Sequence, residues 1–173
     1  MNLSEIHRIV YNICKKEYLY MKRKKDTLVN LNDTIKRVIE NVQPKIPQKI
    51  SFDKELNATL HIDEVIFKKI IRIFLENASK TADPKSVLKI ALLRQGDSID
   101  ISVSNEGVNF IYEEKKAISK FNLSDDILRT RTTIGLSLIN EYAEACGAWF
   151  FLSDNFPSGN VFHLVFNQNQ EKR

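Results

Sequence analysis

The strongest hydrophobic pattern in the chain lies between Asp63 and Pro84. Apolar residues recur there at the three- and four-residue spacing of one helix face, which predicts a long amphipathic helix. They are Ile66, Phe67, Ile70, Ile71, Phe74, Leu75 and Ala78. Asp63 is suited to cap the first turn, because its carboxylate can accept from free backbone N–H groups. Asp83-Pro84 ends the helix, since the residue before a proline disfavours helical angles.

Shorter patterns on both sides of this helix predict a mixed fold. Alternating or β-branched runs predict strands at 27–31, 49–52, 58–61, 86–94, 98–104, 148–153 and 160–166. Helical spacing predicts helices at 32–43, capped by Asn32-Asp33, at 112–119, and at 134–146, ended by Gly147. The turn at Gln95-Gly96-Asp97 predicts an antiparallel hairpin. This order of elements predicts an α+β fold, a two-layer sandwich with helices on one face of a sheet.

The N-terminal segment, 1–26, is predicted to be a separate helix. Its apolar residues alternate at three- and four-residue steps, as in a coiled-coil seam. They are Leu3, Ile6, Val10, Ile13 and Tyr20. The seam predicts a homodimer through this helix, and the alternative is a helix that packs on its own domain. The main domain is predicted at 27–167, followed by a polar tail at 168–173.

Composition narrows the functional classes. The 173 residues carry a net charge of +4, and no apolar run is long enough to cross a bilayer. Neither a signal-peptide pattern nor a CxxC motif is present, so Cys14 and Cys146 are expected to be reduced thiols in a cytoplasmic protein. The three scattered histidines do not predict a zinc site. The basic run at 22–25 could touch nucleic acid or an anionic membrane, but a solvated helix face is the commoner explanation.

The last turn of the predicted central helix carries candidate chemistry. Glu76, Asn77 and Lys80 place a carboxylate, an amide and an ammonium next to the apolar face. Asn77 and Lys80 are three residues apart and project from one side of the helix. An amide oxygen can ligate a hard cation, and a lysine can meet a phosphate as a point charge. The alternative is an ordinary solvated helix end.

Three motifs together resemble the ATP-binding domain of sensor histidine kinases, a fold shared with gyrase, the Hsp90 chaperones and the MutL repair proteins. Leu75-Glu76-Asn77-Ala78-Ser79-Lys80 looks like the N box of that family. Val103-Ser104-Asn105-Glu106-Gly107 looks like its G1 box. Ile134-Gly135-Leu136-Ser137-Leu138-Ile139 looks like the end of its G2 box. The resemblance covers about 30–166, most of the chain.

The resemblance implies ATP and Mg²⁺ as cofactors and assigns roles to particular residues. Asn77 matches the asparagine that holds Mg²⁺ between the ATP phosphates, and Lys80 matches a position that faces phosphate. Glu76 matches a carboxylate that serves as a base or polarises a water, with a solvated helix charge as the alternative. Asn105 stands where an aspartate accepts the adenine amino group, and Gly107 is kept.

The chain departs from the pattern of the family at several positions. Ile73 replaces a second metal-side asparagine, and Asn109 replaces the second G1 glycine, a position whose backbone angles asparagine tolerates. In the G2 box, Arg131 and Thr133 replace two of the glycines that precede Gly135. Bare amides at a helix start bind phosphate in the family, and side chains at these positions resist that geometry. Arg131 can meet phosphate itself, or it is simple surface charge.

Two functions follow from the resemblance. The first is the ATP-binding catalytic region of a two-component sensor histidine kinase, which transfers a phosphoryl group to a histidine. The resemblance makes the N-terminal segment, 1–26, part of a dimerisation and phosphotransfer hairpin, as its second helix. The acceptor histidine of the family lies in the first helix and is followed by an acidic residue, whereas His7 is followed by Arg8. That histidine is therefore expected outside this chain, in a histidine-bearing partner hairpin. The alternative is a degenerate module that binds nucleotide weakly or not at all and serves as a docking or phosphotransfer scaffold for a response regulator. A basic nucleic-acid adaptor is a third class, which no recognition motif supports.

Overall fold

The computed structural model describes residues 26–53, 56–120, 136 and 138–167. Its helices are α1 (Leu31–Val42), α2 (Glu64–Thr81), α3 (Tyr112–Lys120) and α4 (Ile139–Ala145), with a 3-10 turn at Gln43–Lys45. Its strands are β1 (Asp26–Asn30), β2 (Lys49–Phe52), β3 (Thr59–Asp63), β4 (Val87–Gln95), β5 (Ser98–Asn105), β6 (Ala148–Asp154) and β7 (Asn160–Asn167). The predicted N-terminal helix, Arg131, Thr133, Gly135 and the tail at 168–173 lie outside the described residues.

Helix α2 is the central helix that the hydrophobic pattern predicts. The Asp63 carboxylate caps it, accepting from the backbone N–H of Val65 at 2.9 Å and of Ile66 at 3.0 Å. Its buried residues are those of the predicted apolar face together with Asn77. The helix ends at Thr81, two residues before the Asp83-Pro84 pair. No helix within the described ranges is long and apolar enough to span a membrane.

A five-stranded mixed sheet packs against the helices and confirms the predicted α+β fold. Its strand order is β2-β4-β5-β7-β6; β2 pairs with β4 in parallel, and the other neighbours are antiparallel. In β5, Ile99, Ile101 and Val103 are fully buried, and Asn105 continues their side of the strand. The end of β5 therefore presents an asparagine towards the layer between the sheet and the helices.

Strands β1 and β3 pair in a separate two-stranded sheet, and the helix that follows β1 starts earlier than predicted. Helix α1 begins at Leu31, and Asn30 is its cap, accepting from the backbone N–H of Asp33 at 3.1 Å. Asn32 is buried and donates to the Leu56 carbonyl at 2.9 Å. The predicted Asn32-Asp33 cap is wrong, because the Asn32 side chain is used to hold the loop before β3.

The contact between α2 and the sheet is aromatic. Phe74 is fully buried, and its ring lies 5.4 Å from that of Phe150 and 5.6 Å from that of Phe162. Tilted rings at this separation contribute beyond their buried area. One side chain of α2 thus contacts both β6 and β7 and fixes the helix on the sheet.

Phe74→Ala is expected to lower the free energy of unfolding by about 3–5 kcal/mol, because it leaves a cavity between α2 and the sheet. Val65→Ala is the matched control on the same helix, since Val65 is 64% exposed and should change stability by less than about 0.5 kcal/mol. Urea unfolding of both variants measures the difference. Equal stability of the two variants would show that the packing of α2 is described wrongly.

Helix α4 ends beside a buried thiol. Gly147, at φ 72°, ends the helix as predicted, and its backbone N–H donates to the Glu144 carbonyl at 3.0 Å. Burial raises the pKa of the neighbouring Cys146 thiol from its ordinary value of 9.0 to about 12, and the charges of Asp63 and Asp26 add to the rise. The folded protein therefore keeps this thiol protonated where the unfolded chain ionises it.

The Cys146 thiol is expected to react with a disulfide reagent such as Ellman's only when the chain unfolds. A Cys14→Ser background leaves Cys146 as the single thiol, and the same protein in guanidinium chloride is the reactive control. The free energy of unfolding should also fall as the pH rises from about 9 towards 12, because the unfolded thiol ionises and the folded one does not. Fast labelling under native conditions would contradict the burial of this thiol.

Candidate functional site

The C-terminal end of α2 lies directly against the loop that follows β5. Ala82 and Gly107 form an antiparallel bridge, and the Val108 backbone N–H donates to the Thr81 carbonyl at 2.9 Å. A Cβ at Gly107 would overlap the Thr81 carbonyl oxygen. Only glycine therefore allows this approach, which gives a direct structural reason for a glycine at position 107.

Asn77 is buried on the inner side of α2, one turn before this contact. Its side chain is 3% exposed, and Nδ2 donates to the Ile73 carbonyl of the same helix at 2.7 Å. Its Oδ1 is buried and has no hydrogen-bond partner in the described part of the chain. The amide is therefore held by its nitrogen and leaves its oxygen available as an acceptor or metal ligand.

Asn105 ends β5 on the side that faces the helices. It is 1% exposed, and neither Nδ2 nor Oδ1 finds a partner among the described residues. Its backbone carbonyl is satisfied, since it accepts from Asn155 Nδ2 at 2.9 Å. The main chain of Asn105 is thus fixed. Its side-chain amide is buried, and neither the donor nitrogen nor the acceptor oxygen of that amide is used by another described residue.

Asn77 and Asn105 lie at the same end of the layer between α2 and the sheet. Asn77 precedes Ala82 by five residues, a little more than one helical turn, and Asn105 precedes Gly107 by two residues in the bridge that joins these segments. Leaving a buried polar group without a partner costs about 1–3 kcal/mol, and native structures avoid it. These two amides at one end of the layer are therefore candidate contacts for a bound molecule.

Glu76 and Lys80 lie on the solvent side of the same turn of α2. Both side chains are exposed, and neither forms an ion pair with another described residue. They can therefore meet a charged group that approaches from solvent. Of the other residues singled out from the sequence, Arg131 and Gly135 lie outside the described ranges.

Asn160, the first residue of β7, was missed by the sequence analysis. It is fully buried, and its Oδ1 accepts from the Phe110 backbone N–H at 2.8 Å. Its Nδ2 donates to the Val108 carbonyl at 2.8 Å. One side chain thus fixes both sides of the loop after Gly107. The signal in the sequence was only an asparagine at the start of an apolar strand, which is commonly an exposed position.

Asn109, at the position where the resemblance leads one to expect a second glycine, also ties this loop to the β6–β7 turn. Its Oδ1 accepts from the Gly159 backbone N–H at 2.8 Å, and its Nδ2 donates to Asp154 Oδ1 at 2.7 Å. Lys115 of α3 pairs with the same carboxylate. The hydrogen bonds from Lys115 and then from Asn109 hold the pKa of Asp154 below its ordinary value. The Asn109 side chain therefore makes contacts that a glycine at this position could not make.

A surface groove of about 430 Å³ opens between α3 and the edge strand β6. Tyr112, Lys115 and Phe151 are among the residues that line it. Neither Asn77 nor Asn105 lines this groove. We therefore place the candidate site at the end of α2 rather than in the groove.

Comparison with known proteins gives a match to sequences but not to a family model. No protein-family model matches the chain. Over 117 residues, the chain is 25% identical to the sensor protein CiaH of Streptococcus pneumoniae serotype 4. That alignment covers 65% of this chain and 26% of CiaH, so the chain spans a minor part of the length of the curated relatives it matches.

Several solved histidine kinase structures are similar to the chain. The catalytic domain of histidine kinase ThkA, in a nucleotide-free form, matches 84% of this chain and 97% of that domain, with TM-score 0.72 and 21% identity. ThkA in complex with the response regulator protein TrrA matches 98% of this chain and 50% of that chain, with TM-score 0.70 and 22% identity. Full-length ShkA in complex with AMPPNP matches 82% and 31%, with TM-score 0.66 and 17% identity.

These similarities confirm the resemblance that the N-box and G1-box motifs indicated. The fold of this chain, a five-stranded mixed sheet packed against helices, matches these structures with TM-scores of 0.72, 0.70 and 0.66. The chain therefore has the fold of the catalytic domain of histidine kinases.

Proposed function

We propose that this chain binds a purine nucleotide together with Mg²⁺ at the end of α2, as the nucleotide-binding region of a sensor histidine kinase. The observation that carries the proposal is the pair of buried amides, Asn77 and Asn105, which have unused hydrogen-bonding atoms at one end of the layer. A nucleotide offers partners for both, a metal-bound phosphate for one and a base for the other. Neither amide has another assigned role in the described fold.

Asn77 fits a metal ligand. Its nitrogen is engaged with Ile73, so the atom left over is an oxygen, which is the donor that Mg²⁺ and Ca²⁺ prefer. When bound, Mg²⁺ would neutralise phosphate charge and polarise the group to be transferred. In this proposal Asn77 holds the ion through its Oδ1. The hydrogen bond from Asn77 Nδ2 to the Ile73 carbonyl keeps that oxygen oriented.

The exposed end of α2 fits the phosphate side of the ligand. Lys80 supplies a positive charge within one turn of Asn77, and Glu76 supplies a carboxylate beside it. We assign Lys80 to a phosphate, and Glu76 to accepting a proton or polarising an incoming hydroxyl. Gly107 acts by allowing the close approach of the loop to α2. Arg131 and Gly135 stay predictions from the sequence for the phosphate loop.

The similarity in fold to solved histidine kinase structures supports the proposed nucleotide binding. ShkA, one of the similar structures, is in complex with AMPPNP, and ThkA is in complex with a response regulator. By this likeness we propose phosphoryl transfer to a histidine in a dimerisation hairpin, followed by contact with a response regulator. The role of the chain in that transfer is positioning and charge neutralisation.

A degenerate scaffold without nucleotide turnover is the second candidate function. Ile73, at the position of a second metal-side asparagine, is partly buried and packs against the core, so it provides no ligand. Arg131 and Thr133 add side chains where the family has glycines. In this case the chain would act as a docking surface for a response regulator, and nucleotide would not be required.

The affinity for ADP is expected to rise at least about tenfold when excess MgCl₂ replaces EDTA, because Asn77 holds the ion that contacts the phosphates. Asn77→Ala should abolish this metal dependence. Asn41→Ala is the matched control. The Asn41 amide also donates to the carbonyl four residues before it, that of Arg37, at 2.7 Å, but Asn41 is exposed and lies outside the proposed site. Isothermal titration calorimetry measures both. Undiminished metal dependence in Asn77→Ala would remove Asn77 from the metal site.

ATP is expected to bind about as tightly as ADP. The two missing glycines remove charge-assisted amide contacts worth about 1.5–3 kcal/mol each, together a factor on the order of 100 or more in affinity. Arg131→Gly combined with Thr133→Gly should therefore tighten ATP more than ADP. Arg131→Ala with Thr133→Ala removes the same charge but keeps both Cβ atoms, and it should give no such gain. If the glycine pair also gains nothing, this stretch is not the phosphate loop.

A further inference from the structure

The hydrogen-bonding groups of the Asn105 side chain restrict which bases the proposed site can accept. It is 1% exposed, and both its donor nitrogen and its acceptor oxygen lack partners among the described residues. A carboxylate, the group found at this position in the related family, can only accept hydrogen bonds when ionised. An amide both donates and accepts, so it can pair with a base edge that presents an acceptor as well as with one that presents a donor.

The position of this amide is fixed by the fold. Asn105 pairs with Asn160 in the β5–β7 ladder, and its carbonyl is bonded to Asn155 Nδ2. A Cβ at Gly159 would overlap that carbonyl oxygen, so the β6–β7 turn closes tightly over the main chain at this point. The backbone of Asn105 has little room to move, and the remaining freedom is rotation of the amide itself.

That rotation exchanges the donor and the acceptor. In one orientation, an amide can bond to the amino group and neighbouring ring nitrogen of adenine, as asparagine does in base recognition. Turned by half a rotation, the same amide presents its N–H₂ to the O6 of guanine and its oxygen to the neighbouring N1–H. A carboxylate placed against adenine would instead meet the guanine O6 acceptor to acceptor, which is repulsive.

We propose that Asn105 is a specificity-determining residue that opens the base site to both purines, so that guanine and adenine nucleotides bind with comparable affinity. This inference rests on the proposed nucleotide binding and deepens it by naming the class of ligand. The discrimination that an aspartate would provide is lost because the amide can pair with either base edge. The nucleotide pool that occupies the site is then set by concentration as well as by affinity.

Calorimetric titration of the whole chain with Mg–ADP and Mg–GDP tests the proposal. The unaltered chain should bind both, with dissociation constants within about fivefold of each other. Asn105→Asp should bind ADP in preference to GDP by at least about tenfold, the discrimination expected of one directed base contact. Ser104→Asp is the matched control, since it adds the same charge on the neighbouring, outward-facing residue of β5 and should leave the ratio unchanged.

A second measurement needs no variant, in case Asn105→Asp does not fold. Inosine diphosphate presents the same O6 and N1–H as guanine and should bind like GDP. The diphosphate of purine riboside, which has no group at position 6, should bind at least about tenfold more weakly than either. Equal binding of this analogue would show that Asn105 makes no base contact and would overturn the inference.

The outcomes separate the two proposals. If neither ADP nor GDP binds, the proposed nucleotide-binding function fails, and this inference fails with it. If the unaltered chain binds either nucleotide more than about fivefold better than the other, nucleotide binding stands and relaxed base recognition is wrong. An unchanged ratio in a folded Asn105→Asp protein likewise overturns the role of Asn105 while leaving nucleotide binding intact.

Discussion

The close contact between the end of α2 and the loop after β5 is the constraint on which the candidate site depends. Val108 donates to the Thr81 carbonyl and Asp83 donates to the Glu106 carbonyl, each at 2.9 Å. This short ladder is possible because Gly107 has no Cβ. It fixes the last turn of the helix, with Asn77, relative to the end of the strand, with Asn105. The two amides are therefore positioned by backbone bonds and not by each other.

A second set of contacts, made by asparagine side chains, holds the same loop from the other side. Asn160 bonds to the backbone of Val108 and Phe110, and Asn109 bonds to Gly159 and Asp154. Asparagine suits this task because one side chain can donate to one backbone segment and accept from another. Asn77 and Asn105 differ from these asparagines, because Asn77 Oδ1 and both polar side-chain atoms of Asn105 have no hydrogen-bond partner among the described residues. The proposed nucleotide would supply those partners.

The long-range part of the fold was harder to predict than the local part. Helix α2, its Asp63 cap, the β4–β5 hairpin and the Gly147 terminus follow from local patterns and were predicted. The parallel pairing of β2 with β4 and the separation of β1 and β3 into their own sheet were not, since strand patterns do not specify partners. The cap at Asn30 was assigned two residues late, because three neighbouring polar residues are all acceptable caps and only tertiary contacts select one.

The candidate site shows the same division. Asn77, Lys80, Asn105 and Gly107 were identified because their spacing resembles known motifs, but the roles of Asn109 and Asn160 depend on contacts about 50 residues apart in sequence. Burial was also invisible in the sequence. An asparagine at the end of a strand is usually exposed, and only the packed structure distinguishes Asn105, which is 1% exposed, from such a residue.

The most direct test of the central claim is to observe the side-chain amides themselves by nuclear magnetic resonance. In a ¹⁵N-labelled protein, the side-chain NH₂ signals of Asn77 and Asn105, assigned by single substitution, should shift when Mg–ADP is added. The signal of Asn41, an exposed asparagine of α1, and that of Asn32, whose amide is already bonded to the Leu56 carbonyl, should stay in place. Saturating Mg–ADP that leaves the Asn77 and Asn105 signals unchanged would contradict the claim that these two amides are the ligand-binding groups of the fold.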